Sequence, residues 1–314
     1  MSTAQTPRIG IIGGSGLGNA LLALNAGNSQ AQRVNLETPF GAPSAPLTLA
    51  DWAGIPIAFL ARHGTGHTIP PSAIPFRANI WALKAVGCQW IIASGAVGSL
   101  RETIAPRDLV LVDQIIDQTR RRVGSFFDEA GGGAVHVELA EPICPALHAI
   151  LRTAAETAAL RGSKVHLRGT YVCMEGPAFS TRAESLMHRQ WGGDLIGMTA
   201  MPEAKLAREA EISYAMIALA TDYDCWKPHA APPSASGKAA PSKQALLAEI
   251  IGHMQAATAN ALTLVQAAVP LLWSRRTEDF AAHRALELAI WTDKSQIPAA
   301  TKKRLELLWW KYVQ

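Results

Sequence analysis

Two aspartates stand one residue apart at the end of a strongly apolar segment of the chain. Asp222 and Asp224 follow residues 214–220, and the aromatic side chains of Tyr223 and Trp226 lie beside them. Side chains two residues apart in an extended chain point to the same side, so the two carboxylates can bind adjacent donors on one planar group. A pair of carboxylates that caps a helix or a turn is the alternative interpretation.

An arginine and a histidine end a second apolar segment. In "ARHGTGH", residues 61–67, Arg62 and His63 come directly after the strand-like run. The guanidinium of Arg62 can bind two oxygens of a phosphate group, and His63 can add a charge-assisted hydrogen bond. Exposed residues on a surface loop are the alternative here.

Two loops of small residues could complete an anion site. "IIGGSGLG" (11–18) does not match a dinucleotide fingerprint, because the third glycine position is Asn19, and no Lys-Ser or Lys-Thr pair follows it. Its backbone N–H groups and the Ser15 hydroxyl can still hold an anion, although a plain tight turn has the same pattern. "SGAVGS" (94–99) lets the backbone approach a ligand closely. If the two loops and the Arg-His pair meet in space, they form a phosphate cradle.

A fourth motif combines a carboxylate, an aromatic ring and hydroxyls at a predicted junction between a strand and a helix. It is "MEGPAFSTRAES", residues 174–185. Thr181 with Glu184 three residues later is a capping-box pattern, which predicts a helix start. That pattern leaves the preceding "EGPAF" unexplained, so this stretch is a candidate for ligand contact.

Apolar runs and helical spacing alternate along the chain. The predicted strands are 8–14, 55–64, 89–100, 108–117, 170–176, 194–199 and 213–224, and the predicted helices between them are 79–88, 145–162, 181–193 and 202–211. This alternation predicts an α/β fold, a single domain with a central mixed, mostly parallel β-sheet flanked by helices. The candidate residues stand at strand ends, which is where such folds bind ligands.

The composition limits the classes of function. The chain has 314 residues, of which 49% are hydrophobic and 17% charged, and its net charge is +4. The basic residues come in short pieces such as 120–122 and 302–304, which are typical of solvated surface, so we expect no nucleic-acid partner. The N-terminus lacks the order of a signal peptide, and no apolar run approaches the roughly 18 residues of a membrane span.

The cysteines and the C-terminal third add two expectations. The four cysteines have no C-x-x-C spacing, which argues against a zinc site or a disulfide framework and favours a cytoplasmic location. Residues 227–243, rich in Pro, Ala and Ser, predict a loop. Beyond it we expect helices at 244–269, about 276–292 and 298–312. The predicted division is a main domain of 1–272 and a helical C-terminal extension of 273–314, with "LLWW" (307–310) buried.

Several long motifs in order resemble the trimeric purine nucleoside phosphorylases. They are "GIIGGSGL", "ARHGTGHTIPPSAIPFRANIWALKAVGC", "ASGAVGSLRETIAPRDLVLVDQIID", "AEPICP", "EGPAFSTRAES" and "MTAMPEAKLAREAEISYAMIALATDYDCW". The likeness runs from about residue 8 to residue 227. It implies a purine nucleoside phosphorylase-like fold, a homotrimer, and cleavage of a nucleoside's glycosidic bond by inorganic phosphate as co-substrate. It also implies that no metal or organic cofactor takes part.

The resemblance also assigns roles to particular residues. Phosphate would be held by Ser15, Arg62, His63 and Thr199, with the backbone of Gly95 and Ala96. Phe179 would pack on the purine, Met198 would lie against the ribose, and Asp222 and Asp224 would take the base as catalytic residues. His136 would reach into the 5′ pocket of a neighbouring subunit.

The two acids favour a 6-aminopurine, because the exocyclic amine donates to a carboxylate, whereas 6-oxopurine relatives have an asparagine at an acid position. The resemblance implies S-methyl-5′-thioadenosine as the substrate, in purine and methionine salvage, with methylthioinosine, adenosine or a different 5′-modified adenosine as alternatives. A silent nucleoside-binding module and a hydrolase that uses water are further alternatives, and the intact phosphate-binding residues speak against both. The 227–243 loop and the Trp-rich C-terminal stretch depart from the family pattern, which leaves the 5′ substituent open.

Overall fold

The computed structural model describes residues 6–14, 31–227 and 243–314. Its strands are β1 (Arg8–Gly13), β2 (Gln32–Val34), β3 (Leu47–Trp52), β4 (Ile55–Ala61), β5 (Cys88–Ser99), β6 (Leu109–Leu111), β7 (Gln114–Asp117), β8 (Val165–His166), β9 (Thr170–Cys173), β10 (Leu195–Gly197) and β11 (Ser213–Tyr223). Its helices are α1 (Phe76–Ala85), α2 (Pro145–Thr157), α3 (Arg182–Gln190), α4 (Ala200–Glu209), α5 (Lys243–Ser274), α6 (Ala299–Arg304) and α7 (Glu306–Val313).

All of these strands belong to one mixed sheet of eleven strands, ordered β2-β3-β4-β1-β5-β10-β9-β7 along its main path. The long strand β5 organises it: β1 and β11 pair with it in parallel, and β10 pairs antiparallel with its far end. Strands β1, β5 and β11 are almost wholly buried, because their apolar residues face packed layers on both sides. The predicted α/β fold with a mixed, mostly parallel sheet is confirmed.

The structure differs from the predicted elements at the sheet edge and at one helix. β2 and β3 form an antiparallel edge next to β4 that was not predicted, and the predicted strand 108–117 is divided into β6 and β7. The predicted helix at 276–292 is wrong, because only the short 3₁₀ turn Ala281–Arg284 forms there. Residues 289–291 are instead drawn into backbone hydrogen bonds with 134–136, which an α-helix could not make.

Helix α5 requires a second correction. Its segment Leu247–Ser274 is long and apolar enough to cross a membrane, with a mean hydropathy of 1.3, so the expectation that no run approaches such a length is wrong. Half of this apolar stretch is buried in the fold, where α5 packs against β11 and α2. A core helix passes the same test of length and composition, so this helix gives only weak support for a membrane span.

The C-terminal segment packs into the main core. Leu308 and Trp309 are buried, at 3% and 0% exposure, whereas the adjacent Trp310 is 51% exposed. Tyr312 donates a hydrogen bond of 2.6 Å to the buried carboxylate of Glu211. The apolar face and this polar anchor together fix the end of the chain on the sheet domain.

Candidate active site

One cavity of about 490 Å³ opens where several strands end. Its volume lies within the range of small-molecule sites, about 300–1,000 Å³. Most of the residues proposed from the sequence line it, namely Arg62, His63, Gly95, Ala96, Phe179, Met198, Thr199, Asp222 and Asp224. The predicted convergence of these strand ends in one place is therefore observed.

The guanidinium of Arg62 is completely buried and held by a carboxylate. Nε and Nη2 donate to the two oxygens of Glu203, at 2.7 and 2.9 Å, and Nη1 donates to the Ser94 carbonyl oxygen at 2.7 Å. An arginine has five N–H groups, so two remain without a partner among the described residues. Glu203 therefore fixes the plane of Arg62 and leaves it able to bind an anion.

Two glycines open the space in front of that guanidinium. A Cβ added at Gly14 would stand 3.2 Å from Arg62 Nη1, and one added at Gly95 would stand 4.0 Å from it. The Gly95 Cβ would also be 3.5 Å from the hydroxyl of Thr199, which is 6% exposed. The missing side chains thus let Arg62 and Thr199 face one shared space. Ser15, proposed for the same cradle, lies outside the described residues.

His63 is buried beside Arg62 and takes one defined tautomer. Its Nδ1 lies 2.9 Å from the Ile69 carbonyl oxygen, which can only accept, so Nδ1 carries the hydrogen. Burial lowers the pKa of His63 to about 4, and the neighbouring positive charge of Arg62 acts in the same direction. The ring is therefore neutral near pH 7, and its other nitrogen is an acceptor rather than the charge-assisted donor that we expected.

The opposite side of the cavity carries the two aspartates. A Cβ added at Gly98 would stand 3.4 Å from Asp222 Oδ1 and 3.1 Å from Asp224 Cβ, so both side chains lie against this glycine. Asp222 Oδ2 accepts from the Thr221 hydroxyl at 2.7 Å. Asp224, 8% exposed, accepts a short hydrogen bond from the Ser185 hydroxyl on α3. The cavity thus joins a cation at one end to two carboxylates at the other.

The aromatic residues beside the aspartates clamp this turn onto the end of β5. Trp226 Nε1 donates to the Ser99 carbonyl oxygen at 2.8 Å, and the Asp224 N–H donates to the same oxygen at 3.1 Å. The guanidinium of Arg189 lies 3.6 Å from the centre of the Trp226 ring, in a cation–π contact. These contacts give Trp226 a structural role in holding the segment that carries the two aspartates.

Arg122 supports the cavity wall at Met198. Its side chain is 2% exposed, and Nη1 donates to the carbonyl oxygens of Met198 and Met201, at 2.6 and 2.7 Å. Its Nε donates to Glu175 at 2.9 Å, which gives the unexplained carboxylate of "EGPAF" a structural partner. The interpretation of the arginine run 120–122 as solvated surface is therefore wrong for Arg122.

Two proposed nucleoside contacts, Phe179 and His136, differ in their position relative to the cavity. Phe179 lines the cavity but is 85% exposed. His136 is not among the described residues that line the cavity; its ring lies 4.7 Å from that of Trp291, which is itself 73% exposed. Sequence reasoning missed Ile250 and Met254 of α5, which add apolar lining.

No group of three or more His, Cys, Asp or Glu side chains in the described part of the chain is arranged to hold a metal ion. The four cysteines are free thiols.

The chain belongs to the Phosphorylase superfamily, whose sequence profile matches residues 8–269. Among its relatives, the S-methyl-5′-thioadenosine phosphorylase of Synechocystis sp. is 47% identical over 311 residues, which cover 99% of this chain and 89% of that protein. The enzyme of the same name from Thermosynechococcus vestitus is 46% identical, over 98% of this chain and 100% of its own length.

A solved structure agrees with these relatives. The crystal structure of a methylthioadenosine phosphorylase from an Antarctic soil metagenomic library superimposes with a TM-score of 0.84 at 43% identity, covering 97% of this chain and 99% of that one. These matches include the C-terminal stretch that the sequence motifs left without a counterpart. That stretch is therefore shared with the relatives.

Proposed function

We propose that this chain catalyses the phosphorolysis of S-methyl-5′-thioadenosine to adenine and 5-methylthioribose 1-phosphate. One observation carries the proposal: a single cavity places the remaining N–H groups of a buried arginine at one end and two carboxylates at the other. The two ends suit the two partners of such a reaction, an anion and a nitrogen-rich base. The names of the relatives supply the particular nucleoside.

Phosphate binds at the Arg62 end. Arg62 offers its two remaining N–H groups, Thr199 its hydroxyl, and the glycine backbone at Gly95 allows close approach. The neutral His63 ring accepts a hydrogen bond from a hydroxyl of hydrogen phosphate, because its Nδ1 proton is committed to Ile69. We include Ser15 and Ala96 in this cradle from the family motifs.

Bond cleavage leaves positive charge on the sugar, and the bound phosphate stabilises that charge before it attacks C1′. Met198 lies against the ribose, held by Arg122. The departing purine gathers negative charge, which a proton delivered to N7 relieves. One carboxyl of the pair Asp222 and Asp224 donates that proton, and the other accepts from the 6-amino group.

The apolar end of the cavity receives the 5′-methylthio group. Ile250 and Met254 of α5 line this end, and the exposed ring of Phe179, which lines the same cavity, packs on the purine. Residues 228–242, within the loop predicted from the sequence, lie outside the described residues. A thioether has no strong hydrogen-bond requirement, so apolar side chains suit it better than the hydroxyl of adenosine.

We further propose that the active form is a homotrimer in the cytoplasm. His136 and Trp291 form an aromatic pair whose tryptophan is 73% exposed, which supports a contact with a neighbouring subunit. The free thiols support a reducing compartment. The division into 1–272 and 273–314 is also proposed, with the second segment as a stabilising cover on the sheet domain.

A substrate panel tests the function directly. Purified protein is given methylthioadenosine, methylthioinosine or adenosine, with and without inorganic phosphate, and free base is measured. We expect release from methylthioadenosine that depends on phosphate. Equal release in phosphate-free buffer would show a hydrolase, and no release from any nucleoside would reject the proposal that this chain is a nucleoside-cleaving enzyme.

A further inference from the structure

We propose that Ser185 is a positioning residue that sets base selectivity, by holding one oxygen of Asp224 so that this carboxylate can only accept. The inference deepens the proposed function and rests on it. Ser185 is not among the described residues that line the cavity, and it is fully buried. It therefore acts through Asp224 rather than on the base itself.

The position of Ser185 is fixed by the start of α3. The hydroxyl of Thr181 accepts from the Glu184 N–H, and the Glu184 carboxylate accepts from the Thr181 N–H, so the capping box is complete. Serine is neutral to unfavourable inside a helix, where its hydroxyl competes for backbone groups. Here the hydroxyl instead donates across 39 residues of sequence to Asp224 Oδ2. This use of a poor helix former indicates a role outside the helix.

The same helix holds the aspartate segment at a second point. Arg189, one turn after Ser185, lies over the Trp226 ring, and its Nη1 donates to the Leu100 carbonyl oxygen at 2.7 Å. Asp224 is two residues before Trp226, and its own N–H donates to the carbonyl oxygen of Ser99, the residue before Leu100. Helix α3 therefore acts as a template for the Asp224 side chain.

The hydrogen bonds available to the two oxygens of Asp224 explain the preference for a 6-amino over a 6-oxo group. A serine hydroxyl has a single hydrogen, and here it is directed at Oδ2. Oδ1 has no hydrogen-bond partner among the described residues and is left for the base. A carboxylate held in this way accepts from a 6-amino group but offers no hydrogen to a 6-oxo group. Without Ser185, the Asp224 carboxylate can rotate away from the base, which makes a 6-oxopurine more acceptable.

The test compares Ser185→Ala with a matched serine on strand β11. Ser213 is equally buried, but its hydroxyl faces His283, away from the cavity. In Ser185→Ala we expect kcat/KM for methylthioadenosine to fall at least tenfold, about 1.4 kcal/mol. The ratio of methylthioadenosine to methylthioinosine should also fall at least tenfold, while the KM for phosphate stays within twofold. Ser213→Ala should leave the substrate ratio unchanged.

Two additional measurements keep the inference separable from folding and from the proposed function. Ser185→Cys keeps the size of the side chain and offers a weak donor, so its substrate ratio should lie between those of wild type and Ser185→Ala. Calorimetry, which needs no turnover, should show a smaller ratio of the affinities for adenine and hypoxanthine in Ser185→Ala than in wild type. An unchanged ratio in Ser185→Ala, with an active wild type, would overturn the role of Ser185. A wild type that cleaves no nucleoside would instead reject the proposed function.

Discussion

The buried pair of Arg62 and Glu203 makes the sharpest prediction about the anion end of the cavity. Both side chains are almost completely enclosed, at 0% and 1% exposure, and Tyr214 also donates to the Glu203 carboxylate at 2.8 Å. Glu203→Gln keeps the shape of the side chain but removes the negative charge and turns one acceptor into a donor facing the guanidinium. The arginine is then a buried cation without its anion.

The expected loss of stability follows from that geometry. Breaking a buried ion pair from one side costs about 3–5 kcal/mol, because the remaining charge stays desolvated. The entropy of unfolding is about 2.1 cal/mol/K per residue, so in a chain of 314 residues 1 kcal/mol shifts Tm by roughly 1.5 °C, and the fall in Tm should be roughly 5–8 °C. Phosphate bound at Arg62 replaces the lost anion. The rise in Tm on adding saturating phosphate should therefore be larger in Glu203→Gln than in wild type.

Glu209→Gln is the matched control, because it makes the same change on the same helix. The carboxylate of Glu209 is also buried, but it accepts from the Ser125 hydroxyl and the Phe126 N–H, and no arginine pairs with it among the described residues. Burial raises the pKa of Glu209 to about 7, so the neutral amide resembles a form that the native protein already populates. Its Tm should change little, and its phosphate response should match wild type. Equal losses of Tm in the two variants, or a phosphate response that does not grow in Glu203→Gln, would refute the reasoning.

Three further predictions test other parts of the structure. Wild type should prefer methylthioadenosine over methylthioinosine by at least about a hundredfold in kcat/KM, roughly 2.7 kcal/mol, and Asp222→Asn should narrow this ratio because its amide can donate to O6. Burial lowers the pKa of His63 from 6.5 to about 4. Between these two pH values the unfolded chain binds more protons than the folded protein, so the free energy of unfolding should fall as the pH drops from 6.5 to about 4. His63→Asn should make the free energy of unfolding depend less on pH over this range. Trp309→Ala should cost about 3–5 kcal/mol in chemical denaturation, whereas Trp310→Ala, at an exposed neighbouring position, should stay within about 0.5 kcal/mol.

The sequence predicted those features that depend on neighbouring residues. The apolar runs of β1, β5 and β11 and the capping box of α3 are local patterns, and each appears where the pattern indicates. β2 and β3 were not predicted, because they form a partly exposed edge in which apolar and polar residues mix. The helix expected at 276–292 failed for a different reason, since its end pairs with a segment about 155 residues earlier, as in the hydrogen bond from His136 N–H to the Ala289 carbonyl oxygen.

The same distinction applies to the site. Arg62, His63, Asp222 and Asp224 could be found because each ends a strand, and strand ends meet at one edge of such a sheet. Glu203 gave no comparable signal: it is separated from Arg62 by 141 residues and reads as an ordinary helical glutamate. Groups that position a ligand-binding side chain from a distant element carry a role that only the fold reveals.

The two ends of the cavity are supported by different chemistry, and the reaction gives a reason for the difference. An unpaired Arg62 would bind phosphate strongly in the ground state and in the transition state alike, and such uniform binding does not raise kcat. Glu203 offsets part of that charge while keeping the guanidinium fixed. At the other end, neutral hydroxyls from Thr221 and Ser185 donate to Asp222 and Asp224. A cation there would compete with the base for the carboxylates, whereas a neutral hydroxyl holds a carboxyl group in place without such competition.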